Sequence, residues 1–254
     1  MRSKKVPAMF APLAAATLDV ITLDHDDVIL DVACGTGIVA RTLRERLGPQ
    51  ARIIGADLNE GMITTARSLT DAVSKSCEWH IAPVNELPFG DQEFTVVICQ
   101  QGFQFFPDER GALTEMQRVL RGGGQAVISI WKEPSPFFQA VGTSISKHVG
   151  DAAATRAMAP FTYTGHATFK DLMLSAGFAN FSVRELTVDR FIGKPDTAIE
   201  LEIIAGPAAT AVKECGPEVM RTIVQEVTDA LPQFIKDGAL VVPQLTCLYQ
   251  ARST

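Results

Sequence analysis

The run Val28-Ile-Leu-Asp-Val-Ala-Cys-Gly-Thr-Gly37 decides the fold. Its first six residues are a short apolar stretch interrupted by one acid, as in a buried strand, and Gly35 and Gly37 then permit a turn with no side chains in the way. Beyond the turn Val39, Ala40, Leu43 and Leu47 recur at helical spacing until Gly48-Pro49 stops them. Strand, glycine turn and helix follow one another, and the unit repeats. Arg52-Ile-Ile-Gly-Ala-Asp57 reads as a second strand. Asn59 then caps a helix with Met62, Ile63, Ala66, Leu69 and Val73 on its apolar face.

Working outward, Trp79-His-Ile-Ala-Pro83 is a shorter strand near the sheet edge, and Phe94-Thr-Val-Val-Ile-Cys99 is a buried one. Asp108 caps a helix with Leu113, Met116 and Leu120 on one face, terminated by Gly122-Gly-Gly124; Gln125 to Trp131 is another strand. Alternating strands and helices predict a parallel, doubly wound α/β sheet, because parallel neighbours need a crossover between them. The pattern breaks at Glu133-Pro-Ser-Pro136, and the segment to about 166 reads as an insertion of helix and loop. Thr168 with Asp171 is expected to form a capping box for a short helix ending at Gly177, followed by a strand over Phe181 to Arg190. Residues 191–238 read as helical, and Leu245 to Ala251 as a last strand.

Composition narrows the function. With 46% hydrophobic and 20% charged residues in 254, the chain can bury one substantial core. A net charge of −6 without a basic block argues against nucleic acid as partner, since phosphate binding needs clustered cations. Prolines at 7 and 12 interrupt any apolar signal segment, and no apolar run approaches the ~18–20 residues of a membrane span. The expected location is therefore the cytoplasm. Five scattered cysteines without a CxxC pair indicate neither a disulfide framework nor a metal site.

The glycine turn lets a ligand lie against backbone N–H groups, with Gly35 and Gly37 at its centre. Asp57 ends the next strand 22 residues after Gly35, where a carboxylate can take both hydroxyls of a ribose. Together they describe an adenosine site. The match Gly35-Thr-Gly-Ile-Val-Ala40 is also compatible with a nicotinamide dehydrogenase. Asp31 separates the two, because a carboxylate before the turn repels a diphosphate but accepts from an ammonium. That favours S-adenosyl-L-methionine.

Asp31-Val-Ala-Cys-Gly-Thr-Gly37, Asp57-Leu-Asn-Glu-Gly-Met62, Glu86-Leu-Pro-Phe-Gly-Asp91, Phe94-Thr-Val-Val97 and Gln117-Arg-Val-Leu-Arg-Gly-Gly-Gly124 occur in the order of the class I S-adenosylmethionine-dependent methyltransferase motifs. The chain resembles that family over roughly residues 6–131, most closely its small-molecule branch of ubiquinone/menaquinone-type (methyltransferase type 11-like) enzymes. The resemblance implies a Rossmann-like, mostly parallel sheet with an antiparallel last strand over about 240–252. A single domain is expected, with a cofactor core at about 20–131 and the insertions at about 134–166 and 191–238 forming a helical cap. The resemblance places Ala33, Gly35 and Gly37 under the methionine part, Asp57 at the ribose, Leu58 and Met62 beside the adenine, and Val84 and Asn85 at its polar edge, with Asp31 and Thr36 also expected to bind the cofactor. One position departs: Pro83 stands where the family usually has an acid toward the adenine amino group, and Asn85 is the candidate substitute.

Gln100, Gln101 and Gly102, at the carboxyl end of a central strand, are expected to line the transfer zone. The acceptor is expected to be a small, apolar metabolite. Cys99-Gln-Gln-Gly102 lacks the Asn/Asp-Pro-Pro-Tyr/Phe signature for planar amino groups, which weighs against nucleobase and protein-glutamine targets. His148 and His166 are candidate general bases, each with an ordinary structural role as the alternative. Phe103, Phe105 and Phe106 either line an apolar acceptor pocket or pack the core, and Trp131 either touches the acceptor or closes a core edge. The rival functions are a non-catalytic S-adenosylmethionine-binding regulator or partner subunit, and an NAD-dependent oxidoreductase.

Overall fold

The computed structural model describes residues 5–71 and 77–254. In chain order the elements are α1 (Lys5–Asp19), β1 (Val28–Val32), α2 (Ile38–Leu47), β2 (Arg52–Asp57), α3 (Glu60–Asp71), β3 (Glu78–Ile81), β4 (Phe94–Gln100), α4 (Glu109–Val119) and β5 (Leu120–Trp131). They continue with α5 (Pro136–His148), α6 (Asp151–Met158), α7 (Phe169–Ser175), β6 (Phe178–Gly193), α8 (Pro195–Ala205), α9 (Ala209–Glu214), α10 (Pro217–Asp229), β7 (Ile235–Lys236) and β8 (Ala239–Ser253).

The strands form one eight-stranded sheet in the order β3-β2-β1-β4-β5-β8-β6, with β7 paired to β8. β1 pairs in parallel with both β2 and β4, β2 with β3, and β4 with β5. The C-terminal strands are antiparallel, which completes the expected Rossmann-like architecture. Crossovers α2 and α3 wind one way from β1, and α4 joins β4 to β5 on the other. Strand order therefore reverses between β1 and β4.

By its contacts the chain divides into two compact units, one of residues 1–130, 164–186 and 247–254, the other of 131–163 and 187–246. In the first, Ile29, Leu43, Ile53, Ile63, Val96 and Ile98 make a core shared by the central strands with α2 and α3. Each such side chain removed from water contributes roughly 1.5–3 kcal/mol. In the second, Phe137, Val141 and Ile145 of α5 pack with Ile199, Ile203, Ile223, Leu240 and Val242.

Local signals account for the element ends. Asn59 accepts from the Met62 N–H at 3.1 Å and Asp108 from the Gly111 N–H at 2.9 Å, so both caps form as expected. Gly48, with φ 72°, closes α2 by donating to the Arg44 carbonyl at 3.1 Å. Val73 lies outside the described residues. Expectations at two places need correction. Leu120 belongs to β5, not to the α4 face, and Gly122-Gly-Gly124 lies inside that strand where its register with β4 slips between Phe94 and Val96. Thr168 stands in right-handed helical backbone and makes no cap; its hydroxyl donates to the Gly165 carbonyl instead. Helix α1 forms despite Pro12. Among the described residues no helix is long and apolar enough to cross a membrane.

Candidate cofactor site

The site lies in the first unit, where the carboxyl ends of β1, β2 and β4 stand side by side. Asp31, one residue from the end of β1, is paired in register with Gly55 of β2 and Ile98 of β4 and is buried. After it the backbone turns through left-handed conformations at Ala33 (φ 53°), Gly35 (φ 55°) and Gly37 (φ 76°). The two glycines serve different ends. A Cβ on Gly35 would meet nothing within 4 Å, so the missing side chain leaves open room. A Cβ on Gly37 would lie 2.2 Å from the Trp79 indole, and one on Gly55 2.4 Å from the same ring. Gly37 and Gly55 are thus the slot into which Trp79 packs, a role for both residues that the sequence does not display.

Asp57 holds the turn to the next strand. Its Oδ2 accepts from the Gly35 N–H and its Oδ1 from the Asn59 N–H, both at 2.8 Å. A carboxylate has about four lone-pair directions, so two remain for further donors. Arg41, from the first turn of α2, donates to the Thr36 carbonyl and braces the other side of the loop. Gly102, just past β4, closes the third side, for a Cβ there would lie 2.5 Å from that of Ala33.

Burial pushes the Asp31 carboxyl up to about 8, opposed by the Ala40 amide and reinforced by the Asp57 charge. Its Oδ2 is buried without a hydrogen-bond partner among the described residues. An unsatisfied buried carboxyl oxygen costs free energy that an incoming ammonium recovers. The Cys34 thiol, buried beside it, is also pushed up, which keeps it protonated and inert.

Apolar side chains stand exposed at the same end of the sheet: Leu58 at 72% and Met62 at 42%. Ile81, 48% exposed and opposite Asp57 in the β2–β3 register, joins them and was not anticipated from sequence. Its signal was that β3, like β2, ends there. Three exposed apolar groups around one carboxylate suit a flat base attached to a ribose. Val84 is half-buried and Asn85 exposed in the loop after β3. The Asn85 amide donates to Asp108 Oδ2 at 3.0 Å, so this edge acquires an acid that the sequence suggests only as a helix cap. Pro83 is exposed and contributes no polar side chain.

At the end of β4, Gln100 donates weakly to the Phe10 carbonyl of α1 at 3.4 Å, and its Oε1 is buried without a partner among the described residues. Gln101 takes a positive φ of 56°, and its N–H donates to the Ser129 carbonyl at 2.9 Å. Phe103 is fully buried, edge-on to Phe106 at 5.5 Å and Phe169 at 5.0 Å, whereas Phe105 is 60% exposed. Phe103 is therefore core. His166 shares a hydrogen bond of 2.5 Å with the buried Tyr249, which stacks on Phe169 at 4.0 Å. His148 belongs to the second unit, where its Nε2 lies 2.9 Å from Glu226 Oε1 in a cluster with Lys147 and Ser144. Trp131, also in the second unit, packs against Phe161 with centroids 6.2 Å apart.

The residues fit S-adenosylmethionine by two observations: the unpartnered Asp31 oxygen and the open room at Gly35. Comparison with known proteins agrees. A family model described as a methyltransferase domain matches residues 29–124. Demethylmenaquinone methyltransferase of Deinococcus radiodurans is 38% identical over 122 residues, which are 48% of this chain and 50% of that protein, so the match spans half its length. The ubiquinone/menaquinone biosynthesis C-methyltransferase UbiE of Xanthomonas oryzae pv. oryzae is 31% identical over 176 residues, 63% of this chain and 69% of that protein. Among solved structures, phosphoethanolamine N-methyltransferase 2 of Haemonchus contortus in complex with S-adenosyl-L-methionine superposes with TM-score 0.59. It is 16% identical, covers 95% of this chain and 52% of its own, and bears on the fold alone. The chain belongs to the class I S-adenosylmethionine-dependent methyltransferases, in the branch of the ubiquinone/menaquinone-type enzymes, and its cofactor is S-adenosyl-L-methionine.

Proposed function

We propose that the chain transfers the methyl group of S-adenosylmethionine to a small, apolar acceptor in the cytoplasm, a flat ring of the quinone type being the first to test. The observation that carries the cofactor half is the pair of groups flanking Gly35: Asp57 hydrogen-bonded to its N–H, and Asp31 with an unpartnered oxygen. The acceptor half is supported by the relatives' printed activities. The unpaired cysteines support a reducing compartment.

When bound, the cofactor supplies a methyl carbon already activated by positive sulfur, so displacement needs positioning more than acid–base help. In this reading Asp31, Ala33, Gly35, Thr36 and Gly37 hold the methionine part, Asp31 through the ammonium. Asp57 takes the ribose hydroxyls; Leu58, Met62 and Ile81 flank the adenine; Val84 and Asn85 border its polar edge. Gln100, Gln101 and Gly102 border the transfer zone, where the buried, unpartnered Gln100 oxygen is an acceptor for a polarised C–H or a substrate donor. His148 is committed to Glu226 and is not used as a base.

The test is calorimetric titration of the purified protein with S-adenosylhomocysteine, with NADH as control, followed by an acceptor screen that reads S-adenosylhomocysteine formation. Micromolar binding of the first ligand alone, with turnover on a quinol-type acceptor, is expected. NADH binding alone would overturn the cofactor roles, and cofactor binding without turnover on any acceptor would overturn the enzymatic reading.

A further inference from the structure

The cofactor site uses the carboxyl ends of the parallel strands; a separate cavity opens at their amino ends. Asp27 in its wall precedes Asp31 by about 13 Å of extended chain, the length of β1. The cavity measures about 260 Å³ and lies within the first unit, between the chain entering β1, the start of β4, the glycine run of β5 and the end of β8. The glycines make its room. A Cβ on Gly122 or Gly123 would meet nothing within 4 Å, and Gly123 takes a φ of 75° beside the slip in the β4–β5 register.

Charge is sorted across this cavity. Asp24 and Asp27 stand on the β1 side and Arg121 and Arg252 on the side of β5 and β8, with Thr95 and Gln125 between them. Asp27 accepts from the Thr95 hydroxyl at 2.6 Å and from the Asp24 N–H at 2.7 Å, which fixes the acid wall. Arg121 donates weakly from Nε to the Gln92 carbonyl at 3.4 Å, and Arg252 donates from Nη1 to the Gly123 carbonyl at 2.8 Å. A guanidinium carries five N–H donors, so both arginines keep donors in hand. Among the described residues neither reaches Asp24 or Asp27, although all four line one cavity.

Gln125 adds an independent sign of a ligand. It is 8% exposed, and its Nε2 is buried without a partner among the described residues. A buried donor left unmade costs free energy, and in a wall shared with two arginines it calls for an acceptor oxygen. A plain anion there would also face two carboxylates, and a plain cation two guanidinium groups. A ligand charged at both ends meets each wall with the opposite sign. Strands β1 and β5 are two spacings apart, about 10 Å, so the two charges of that ligand stand further apart than in an α-amino acid.

We propose that this cavity binds a small zwitterion of the ω-amino-acid type, its carboxylate accepting from Arg121, Arg252 and Gln125 and its ammonium donating to Asp24 and Asp27. The site is independent of the methyl-transfer reading.

Ligand-observed NMR titrations with 6-aminohexanoate, hexanoate, hexylamine and glycine test it. 6-Aminohexanoate should bind about tenfold tighter than each of the others, because it alone ends on both walls. The double variant Arg121→Met/Arg252→Met changes two exposed side chains and should bring 6-aminohexanoate to the affinity of hexylamine. Asp24→Asn, also exposed, should bring it toward that of hexanoate, and Gln125→Leu should weaken it several-fold. S-adenosylhomocysteine affinity should stay unchanged in all of these variants. Absence of 6-aminohexanoate binding, equal or tighter binding of any of the other three, or a preference that survives the double arginine variant overturns the proposal. Loss of S-adenosylhomocysteine binding in the parent protein would count against the cofactor reading alone.

Discussion

Asp57 and Gly35 are joined across two strands by a 2.8 Å hydrogen bond from the glycine N–H to the carboxylate. The residue that takes the ribose in the proposed site is therefore also the one that fixes the shape of the turn. The two roles do not separate in a deletion, but they do in a graded series.

Asp57→Ala should lower S-adenosylhomocysteine affinity at least ~30-fold, the loss of two hydroxyl contacts to a charged acceptor at roughly 1–1.5 kcal/mol each. Asp57→Asn keeps one acceptor oxygen and should fall between. Calorimetry on the three proteins reads this, and unchanged affinity in the alanine variant would remove Asp57 from the site.

The turn, the acid before it and the acid after the second strand were legible because each is a local pattern with a physical reason: a strand end, a missing side chain, a carboxylate at a switch point. Trp79 was not, because its contact with Gly37 joins positions that only the β2–β3 pairing brings together. Ile81 was hidden in the same way. Helix α1 had no counterpart in the sequence reading, which used Pro7 and Pro12 only against an apolar signal segment; in the structure Pro12 is accommodated within the helix. The start of β5 was misplaced because three glycines resemble a terminator, and only the pairing of Leu120 and Gln125 with β4 on either side of them shows that the strand runs through. His148 was a candidate base on residue type alone; Glu226, its partner, stands on a helix far along the chain.

In the proposed site Asp31 should make cofactor binding pH-dependent. Its carboxyl is pushed up to about 8 by burial, so below that pH it is protonated and cannot pair with an ammonium. Affinity for S-adenosylhomocysteine should therefore rise from pH 6 to 8, by up to tenfold per unit, with one proton released on binding. Folding shows the opposite trend. A carboxyl whose folded value lies above its unfolded one costs stability as pH rises from about 4 to 8, up to about 1.4 kcal/mol per unit, and the cost is constant above 8. Thermal unfolding of the ligand-free protein should show the decline, Asp31→Asn should flatten it, and Asp31→Asn should also flatten the affinity profile. A parent protein whose affinity is level across this range has Asp31 ionised throughout.

His148→Gln removes a ring that lies 2.9 Å from Glu226 in a partly exposed cluster. Lys147 and Ser144 remain on that carboxylate, which the cluster holds down at about 2. The variant should keep S-adenosylhomocysteine affinity and turnover within about twofold, since exposed pairs of this kind contribute little. A loss of turnover with affinity intact, recovered toward high pH, would restore His148 as a base.

The two turn glycines should respond oppositely to the same added methyl. Both have positive φ, which costs an alanine roughly 1–2 kcal/mol. At Gly35 nothing else opposes it, so Gly35→Ala should fold with a modest drop in melting temperature, yet place its methyl in the room proposed for the cofactor. S-adenosylhomocysteine affinity should fall far more than stability does. At Gly37 the methyl meets the Trp79 ring, which must leave a slot it shares with Gly55. The strain there adds to an overpacking cost of about 1–3 kcal/mol, so Gly37→Ala should lose much of its folded stability. Paired thermal unfolding and calorimetry distinguish the cases. A Gly35→Ala protein that binds normally would show that the ligand does not lie over that residue, and a fully stable Gly37→Ala protein would show that Trp79 does not fill the slot.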